Sequence, residues 1–301
     1  MSLLAIGSIA FDSIRTPYGE VEEILGGSAT FFSVTASWFT SVSVVAVVGE
    51  DFGDEQFQVF RERSIDTRGV ERVPGRTFRW KGEYMGDMNQ AHTLDTQLNV
   101  FESFVPKIPE AYLDSKFLFL GNIVPVLQLN VRRALSKLTA SALDTMNYWI
   151  TGTPDDLAKV LATVEILLIN EGEARLLSKQ SNLKKAAATI QKMGPRILVI
   201  KRGEHGATLF TESSVFTVPA FLLDEVFDPT GAGDTFAGGF MGHLARSGDL
   251  SDANLRRAAV YGSVMGSFAV EEFGVGRLLR LTPAEIESRY REIKTLTHFD
   301  A

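Results

Sequence analysis

The 301 residues predict an α/β fold: a mostly parallel sheet flanked by helices on both faces, with a second, small β-sheet attached. Three observations predict it. Short apolar runs alternate with stretches of helical spacing along most of the chain. The runs are nearly free of polar residues, as strands buried on both faces are. One segment, 75–104, breaks the rhythm and reads as aromatic-rich extended chain with no helix.

The apolar runs LLAIGS (3–8), VSVVAVVG (42–49), FLFLG (117–121), ASALD (140–144), EILLIN (165–170) and ILVIK (197–201) supply the buried strands. Helical spacing between them covers about 27–40, 53–63, 126–138, 154–162 and 182–193. Strand and helix in alternation imply right-handed crossovers and parallel pairing. Strands at 207–211 and 214–218 finish the sheet, and the chain ends in helices at 233–247, 251–271 and 282–293. The polar segment FDSIRTPYGEVEEIL (11–25) follows the first strand and is also extended. Together 11–25 and 78–104 predict a small antiparallel sheet, a lid over the carboxyl ends of the parallel strands, where ligands bind in open α/β sheets. No linker or repeat divides the chain, so residues 1–301 read as one domain with the lid inside it.

Composition excludes several function classes. A net charge of −7 and a pI near 5.3 argue against a broad nucleic-acid surface, so no nucleic acid is expected as partner. The absence of cysteine removes disulfides, thiolate metal sites and cysteine nucleophiles, and fits a reducing, cytoplasmic setting. His92, His205, His243 and His298 include no pair at metal-ligand spacing. No apolar run is long enough for a membrane span, and the first residues enter a strand without a basic region, so neither membrane nor signal peptide is expected.

The stretch FDPTGAGDTFAGGF (227–240) concentrates the candidate chemistry. Pro229 suits a turn, Gly231 and Gly233 admit close approach to the backbone, and the apolar residues after them fall at helical spacing. A Gly-rich loop therefore opens a helix whose first N–H groups lack partners and carry partial positive charge. Asp234 stands on the rim of that anion site. As an N-cap alone it would need no such glycines. A carboxylate beside phosphate-binding N–H groups suits phosphoryl transfer, taking the proton of an attacking hydroxyl.

Four motifs in this order extend the pattern. GGSATFFSVTASWFTSVSVVAVVGEDFGDE (26–55), NEGE (170–173), KRGEHG (201–206) and DPTGAGDTFAGGF (228–240) resemble the signatures of the ribokinase-like (PfkB) carbohydrate kinases, and the matches span nearly the whole chain. The resemblance implies a Rossmann-like, ribokinase-like core with a β lid and an ATP- and Mg²⁺-dependent kinase of a small sugar or nucleoside. It implies Asp234 as general base and the backbone of Gly231, Ala232 and Gly233 as anion hole. Asp12, Gly26 and Gly27 would bind the acceptor; Asn170 and Glu173 would hold Mg²⁺ through its waters; Lys201, Gly203 and Gly206 would meet the ATP phosphates. Asp228 matches a position for a monovalent cation, K⁺, and the helices near Ala259, Gly262 and Val264 would border the adenine. An apolar lid edge would offer pairing with a second copy, a homodimer through the lid.

Several of these residues have a plainer role open to them. Asn170 and Glu173 make a helix-capping pair, Gly203 and Gly206 a hairpin turn, Asp12 a turn acid and Asp228 a loop cap. Trp80, Lys81 and Tyr84 suit packing of the lid as well as contact with substrate. Phe31 marks a departure, standing where sugar kinases of the family commonly carry an asparagine that binds acceptor hydroxyls. A phenylalanine makes no such bonds, which points to a more apolar acceptor, such as a nucleoside, or to a differently posed sugar. A binding protein with a decayed site is the rival from another class, and retention of Asp234, Asn170 and Glu173 argues against it. A dinucleotide oxidoreductase shares the fold class, but GSIAFDS (7–13) lacks the Gly-x-Gly-x-x-Gly fingerprint after the first strand.

Overall fold

The computed structural model describes residues 2–86, 88, 89 and 91–298, so residues 87 and 90 of the expected lid lie outside the described residues. In chain order the strands are β1 Leu3–Ile6, β2 Ala10–Thr16, β3 Gly19–Gly26, β4 Val42–Val48, β5 Asp66–Arg72, β6 Phe78–Tyr84, β7 Ala91–Gln97, β8 Phe117–Leu120, β9 Ala140–Leu143, β10 Ile166–Asn170, β11 Ile197–Lys201, β12 Ala207–Phe210 and β13 Val215–Val218. The helices are α1 Ser28–Ala36, α2 Asp54–Glu62, α3 Pro125–Ala134, α4 Asn147–Gly152, α5 Pro154–Leu161, α6 Glu171–Ser178, α7 Leu183–Gln191, α8 Ala232–Ser247, α9 Asp252–Ala269, α10 Gly276–Leu279 and α11 Pro283–Leu296.

Nine strands form the main sheet in the order β13-β12-β11-β10-β9-β8-β1-β4-β5. It is parallel except at β12 and β13, which pair antiparallel as a hairpin after β11. Alternation within each strand divides the core. Leu3, Ala5, Val44, Phe119 and Leu168 face α1, α8 and α9, whereas Leu4, Ile6, Val45, Leu120 and Leu167 face α3, α5 and α7. Both faces are dry, which is why these strands read as unbroken apolar runs.

The second sheet has the order β3-β2-β6-β7. The expectation of a purely antiparallel sheet is corrected. β2–β3 and β6–β7 are antiparallel hairpins, but the central strands β2 and β6 run parallel, Ala10 opposite Phe78. The reason is topological: β2 follows β1 and β6 follows β5, and β1, β4 and β5 are parallel, so both hairpins leave the carboxyl end of the main sheet in the same direction. The extended stretch also ends sooner than expected, at Gln97, and Asn99–Ser103 forms a 3-10 turn. The small sheet has its own minor core of Ile14, Tyr84 and Met88, packed with Trp80, Ile24 and Phe273. β7 is exposed along its whole length and mostly polar, so the edge expected to be apolar is not.

Candidate active site

The carboxyl ends of β9, β10 and β11 lie side by side and deliver Asp144, Asn170 and Lys201 to one place. Asn170 and Lys201 are register partners in the parallel ladder. Asn170 then caps α6. Its Oδ1 accepts the Glu173 N–H at 2.8 Å, and the Glu173 Oε2 accepts the Asn170 N–H at 2.8 Å. The capping role is thus real; it uses the Asn170 amide oxygen and one of the two Glu173 carboxylate oxygens. Glu173 is buried, and its pKa is raised by burial and by the nearby Asp144 carboxylate, with Lys201 acting against both.

Gly231 is the N-cap of α8, and its φ of 72° is left-handed, the conformation that the Gly-rich loop anticipates. Ala232 departs from its expected part: its N–H lies 3.2 Å from the Pro229 carbonyl, closing the turn instead of facing a ligand. The N–H groups of Gly231, Gly233 and Asp234 have no intramolecular acceptor among the described residues. The Asp234 carboxyl stands in this first turn, half-buried. Desolvation first, and then the Asp144 charge, push its pKa up, while Lys201 pulls it down. Lys201 is largely buried, its ammonium 3.3 Å from Asp144 Oδ2. Burial disfavours its charge, but Asp144, Glu173 and Asp234 together outweigh that and raise its pKa.

Asp12, in β2, is 5% exposed, with its carboxyl against the backbone of Gly26. Burial pushes its pKa to about 7, with the Asp228 and Asp234 charges adding to the rise and the Gly27 N–H opposing it. Gly27 has a φ of 91°, and a side chain there would sit 2.5 Å from the Ser8 carbonyl. The influence of the Asp228 and Asp234 charges on Asp12 groups these acids with the Gly26–Gly27 backbone in one polar region, the recess. Tyr84 closes it from the small sheet, its hydroxyl 3.2 Å from Thr230 Oγ1. Trp80 and Lys81 instead stay within the small sheet, bonding Thr93 and pairing with Glu22. Asp228 is 1% exposed; its Oδ1 accepts the Thr230 N–H at 2.8 Å and its Oδ2 the Gly274 N–H at 3.3 Å.

Beside this recess lies a cavity of about 630 Å³, lined by Lys201, Gly203, Gly206, Phe221, Gly233 and Ser263 among others. Gly203 and Gly206 form the turn between β11 and β12, with φ of 55° and 79°. The face of α9 on the cavity carries Ser263, Gly266 and Ser267. Ala259 and Val264 point into the core, and Gly262 packs on the Phe236 ring, so the expected border is displaced around the helix.

Sequence reasoning missed Asp144 and the contact of Tyr84. ASALD carried the signal for the first: an acid ending an apolar strand at the edge of an α/β sheet where ligands bind. Phe31 is 1% exposed and packs beneath Gly231, so it underlies the site rather than lining it.

The arrangement joins a recessed carboxylate, free N–H donors and an ammonium at the junction of a polar recess and a larger cavity. That combination can orient a hydroxyl and an anionic group toward each other and accept a proton between them. A family model described as pfkB family carbohydrate kinase matches residues 2–280. A cytidine kinase of Thermococcus kodakarensis is 30% identical over 257 residues, spanning 84% of this chain and 91% of the relative. An inositol 3-kinase of Arabidopsis thaliana is 26% identical over 304 residues, 96% and 81% of the two chains. The structure of Burkholderia thailandensis nucleoside kinase in complex with inosine superposes with a TM-score of 0.78 at 21% identity, covering 97% of this chain and 98% of that one. Family and fold agree from β1 to α10: the chain belongs to the pfkB family of carbohydrate kinases, phosphotransferases that act on a hydroxyl group of a sugar or nucleoside.

Proposed function

We propose that the protein transfers the γ-phosphoryl group of ATP to the hydroxymethyl group of a ribosyl-type acceptor, with a nucleoside as the first candidate. The observation that carries this reading is Asp234 in the first turn of α8, among unpartnered N–H groups and close enough for its charge to act on Asp12. The T. kodakarensis relative, a cytidine kinase, supports the nucleoside. So does Phe31, which leaves the recess without the asparagine expected of a sugar kinase.

Asp12 holds acceptor hydroxyls against the Gly26–Gly27 backbone, and Asp234 takes the proton of the attacking hydroxyl. An oxygen–phosphorus bond forms to the acceptor, the bond from the γ-phosphorus to the bridging oxygen breaks, and ADP leaves. The Gly231 and Gly233 N–H groups and the Lys201 ammonium stabilise the charge on the transferred group. The turn at Gly203 and Gly206 admits the phosphates of ATP, whose base occupies the cavity beside Phe221 and Ser263.

Magnesium fits the donor set. Among the described residues no cluster of three acidic or histidine side chains could cage a metal. Glu173 keeps Oε1 outside its cap, which suits an ion that retains its waters and takes phosphate oxygens. Bound there, Mg²⁺ would neutralise phosphate charge. At Asp228 each oxygen accepts one N–H, which ties the loop and leaves each a second lone pair for a monovalent cation such as K⁺; no step is routed through that ion. The small sheet serves as the lid, with Tyr84 as its contact to the loop before α8. Pairing of two copies through this sheet would use the open edges β3 and β7.

The test is ADP release from ATP in the presence of a panel of nucleosides, pentoses, hexoses and inositols. Saturable turnover with one class is expected. Saturable binding without turnover would favour the binding-protein reading instead.

A further inference from the structure

The Lys201 ammonium has a partner whose own position is unusually well determined. Asp144 is held at four points. Its N–H donates to the Leu120 carbonyl at 2.9 Å, and its carbonyl accepts from Gln128 Nε2 at 3.2 Å. Its Oδ1 accepts the Thr145 N–H at 2.8 Å, which leaves Oδ2 for Lys201 Nζ at 3.3 Å. Gln128 is fully buried and also binds the Gly121 carbonyl at 2.8 Å, so the ends of β8 and β9 are clamped together behind the carboxylate.

On its other side the ammonium lies under the first turn of α8. A Cβ on Gly233 would stand 3.0 Å from Lys201 Nζ, so the bare backbone there is what admits the cation. Asp234 and Glu173 also face the ammonium, from α8 and α6. Lys201 lines the cavity, whereas Asp144 is not among its lining residues. A buried pair of this kind adds little net stability, because desolvation offsets most of its attraction. Its place at the edge of the sheet, with one member at the cavity and the other immobilised behind it, needs another explanation.

We propose that Asp144 is a positioning residue: it aims the Lys201 ammonium at the group transferred between the cavity and Asp234, without touching substrate. This rests on the kinase reading above. Two consequences separate the role from a structural one. An ammonium released from Asp144 is a freer cation, so ground-state binding of a nucleotide is kept or tightened. Its alignment is lost, so turnover falls. Damage to the fold would weaken both.

Asp144→Asn keeps the acceptor for the Thr145 N–H and removes the charge, and Lys201→Met removes the ammonium. The measurements are kcat, and the affinity of a non-hydrolysable ATP analogue with Mg²⁺ by titration calorimetry. Asp144→Asn is expected to lower kcat at least tenfold with an analogue affinity equal to wild type or tighter. Lys201→Met is expected to lower kcat and to weaken the analogue tenfold or more. In the Lys201→Met background, adding Asp144→Asn should change kcat less than threefold, because the cation it aims is gone. If Asp144→Asn does not fold, Asp144→Glu decides on the same readings, since it keeps the charge and displaces the ammonium. A folded Asp144 variant with kcat within twofold of wild type overturns the proposal. So does parallel loss of analogue affinity and turnover, or full additivity in the double variant. A wild-type protein that binds the analogue but turns over no acceptor overturns the kinase reading, and this role with it.

Discussion

Replacing Gly231 by alanine tests how the site is held up from below. The residue starts α8 at φ 72° and ψ −2°, a region that costs an L-residue roughly 1–2 kcal/mol. The new methyl group would also meet Phe31. It would stand 2.5 Å from Cδ1 and closer still to two other ring carbons. Phe31 has no room to withdraw: it is 1% exposed and sits in the main core. Overpacking of that kind costs about 1–3 kcal/mol. The sum, about 2–5 kcal/mol, is a large part of the ~5–15 kcal/mol that holds a typical domain folded. Denaturant unfolding should show the loss as a lower midpoint. Turnover should fall as well, because alanine keeps the N–H but the clash displaces it, and complete loss of one preorganised donor to a developing oxyanion sets an upper bound of about 10²–10³ in kcat. Phe31→Leu separates the two causes. In the alanine background it removes the ring and should recover the steric share, a coupling of about 1–3 kcal/mol, but not the share due to φ. Strict additivity of the two substitutions would refute the contact. A Gly231→Ala variant within ~0.5 kcal/mol of wild type would refute the whole account, because that is the range of an ordinary surface change.

Asp234→Asn should fold, bind ADP and lose ~10²–10⁴ in kcat; retention of more than about a tenth of the wild-type rate would leave no general base there. Because burial and the Asp144 charge raise the pKa of Asp234, and the base acts ionised, kcat should decline as pH falls through the neutral range. A rate constant down to pH 5 would contradict that. Glu173→Gln keeps an oxygen for the Asn170 N–H, so the helix cap and stability should persist while the Mg²⁺ requirement rises; an unchanged Mg²⁺ titration would leave Glu173 its capping role alone. The lid should close on the acceptor, so hydrogen exchange in 11–25 and in the described part of 78–104 should slow with acceptor and ATP analogue bound. Equal protection with and without them would make the small sheet a fixed part of the core.

What the sequence disclosed follows from burial. Val42–Val48 and Ile197–Lys201 sit between two helical layers, so their apolar runs named them as strands. β5 was not legible. It is an edge strand, only Gly69 in it is buried, and DTRGVER looks like a polar loop. α6 was read only in part: NEGE was recognised as a ligand pair or a helix-capping pair, but the short helix that it caps, Glu171–Ser178, was not assigned a span. At the site, residue types were readable and directions were not. Composition identified the loop around Gly231, but not that Ala232 turns its N–H toward Pro229. Asp144 was counted as the end of a strand because its partner Lys201 is 57 residues away in sequence. Lys201 itself was seen through its motif.

The density of small residues in GAGDTFAGGFMG has two separate causes. Those before Asp234 shape the proposed anion site: Gly231 permits the left-handed start of α8, and Gly233 leaves space for the Lys201 ammonium. Those after it serve packing. A Cβ on Gly238 would stand 2.6 Å from the Phe32 carbonyl in α1, one on Gly239 2.7 Å from the Tyr261 carbonyl in α9, and one on Gly242 3.1 Å from the Cα of Ala36. α8 is thus wedged between two helices by successive bare faces. Bulk at these positions would drive the helices apart and carry the first turn of α8 with them. The carboxylate of Asp234 is fixed relative to Asp12 by this wedge, since α1 follows directly from Gly27 and β2 lies beside Gly26 in the small sheet. The glycines that never touch a ligand therefore set the distance between the two acids that would.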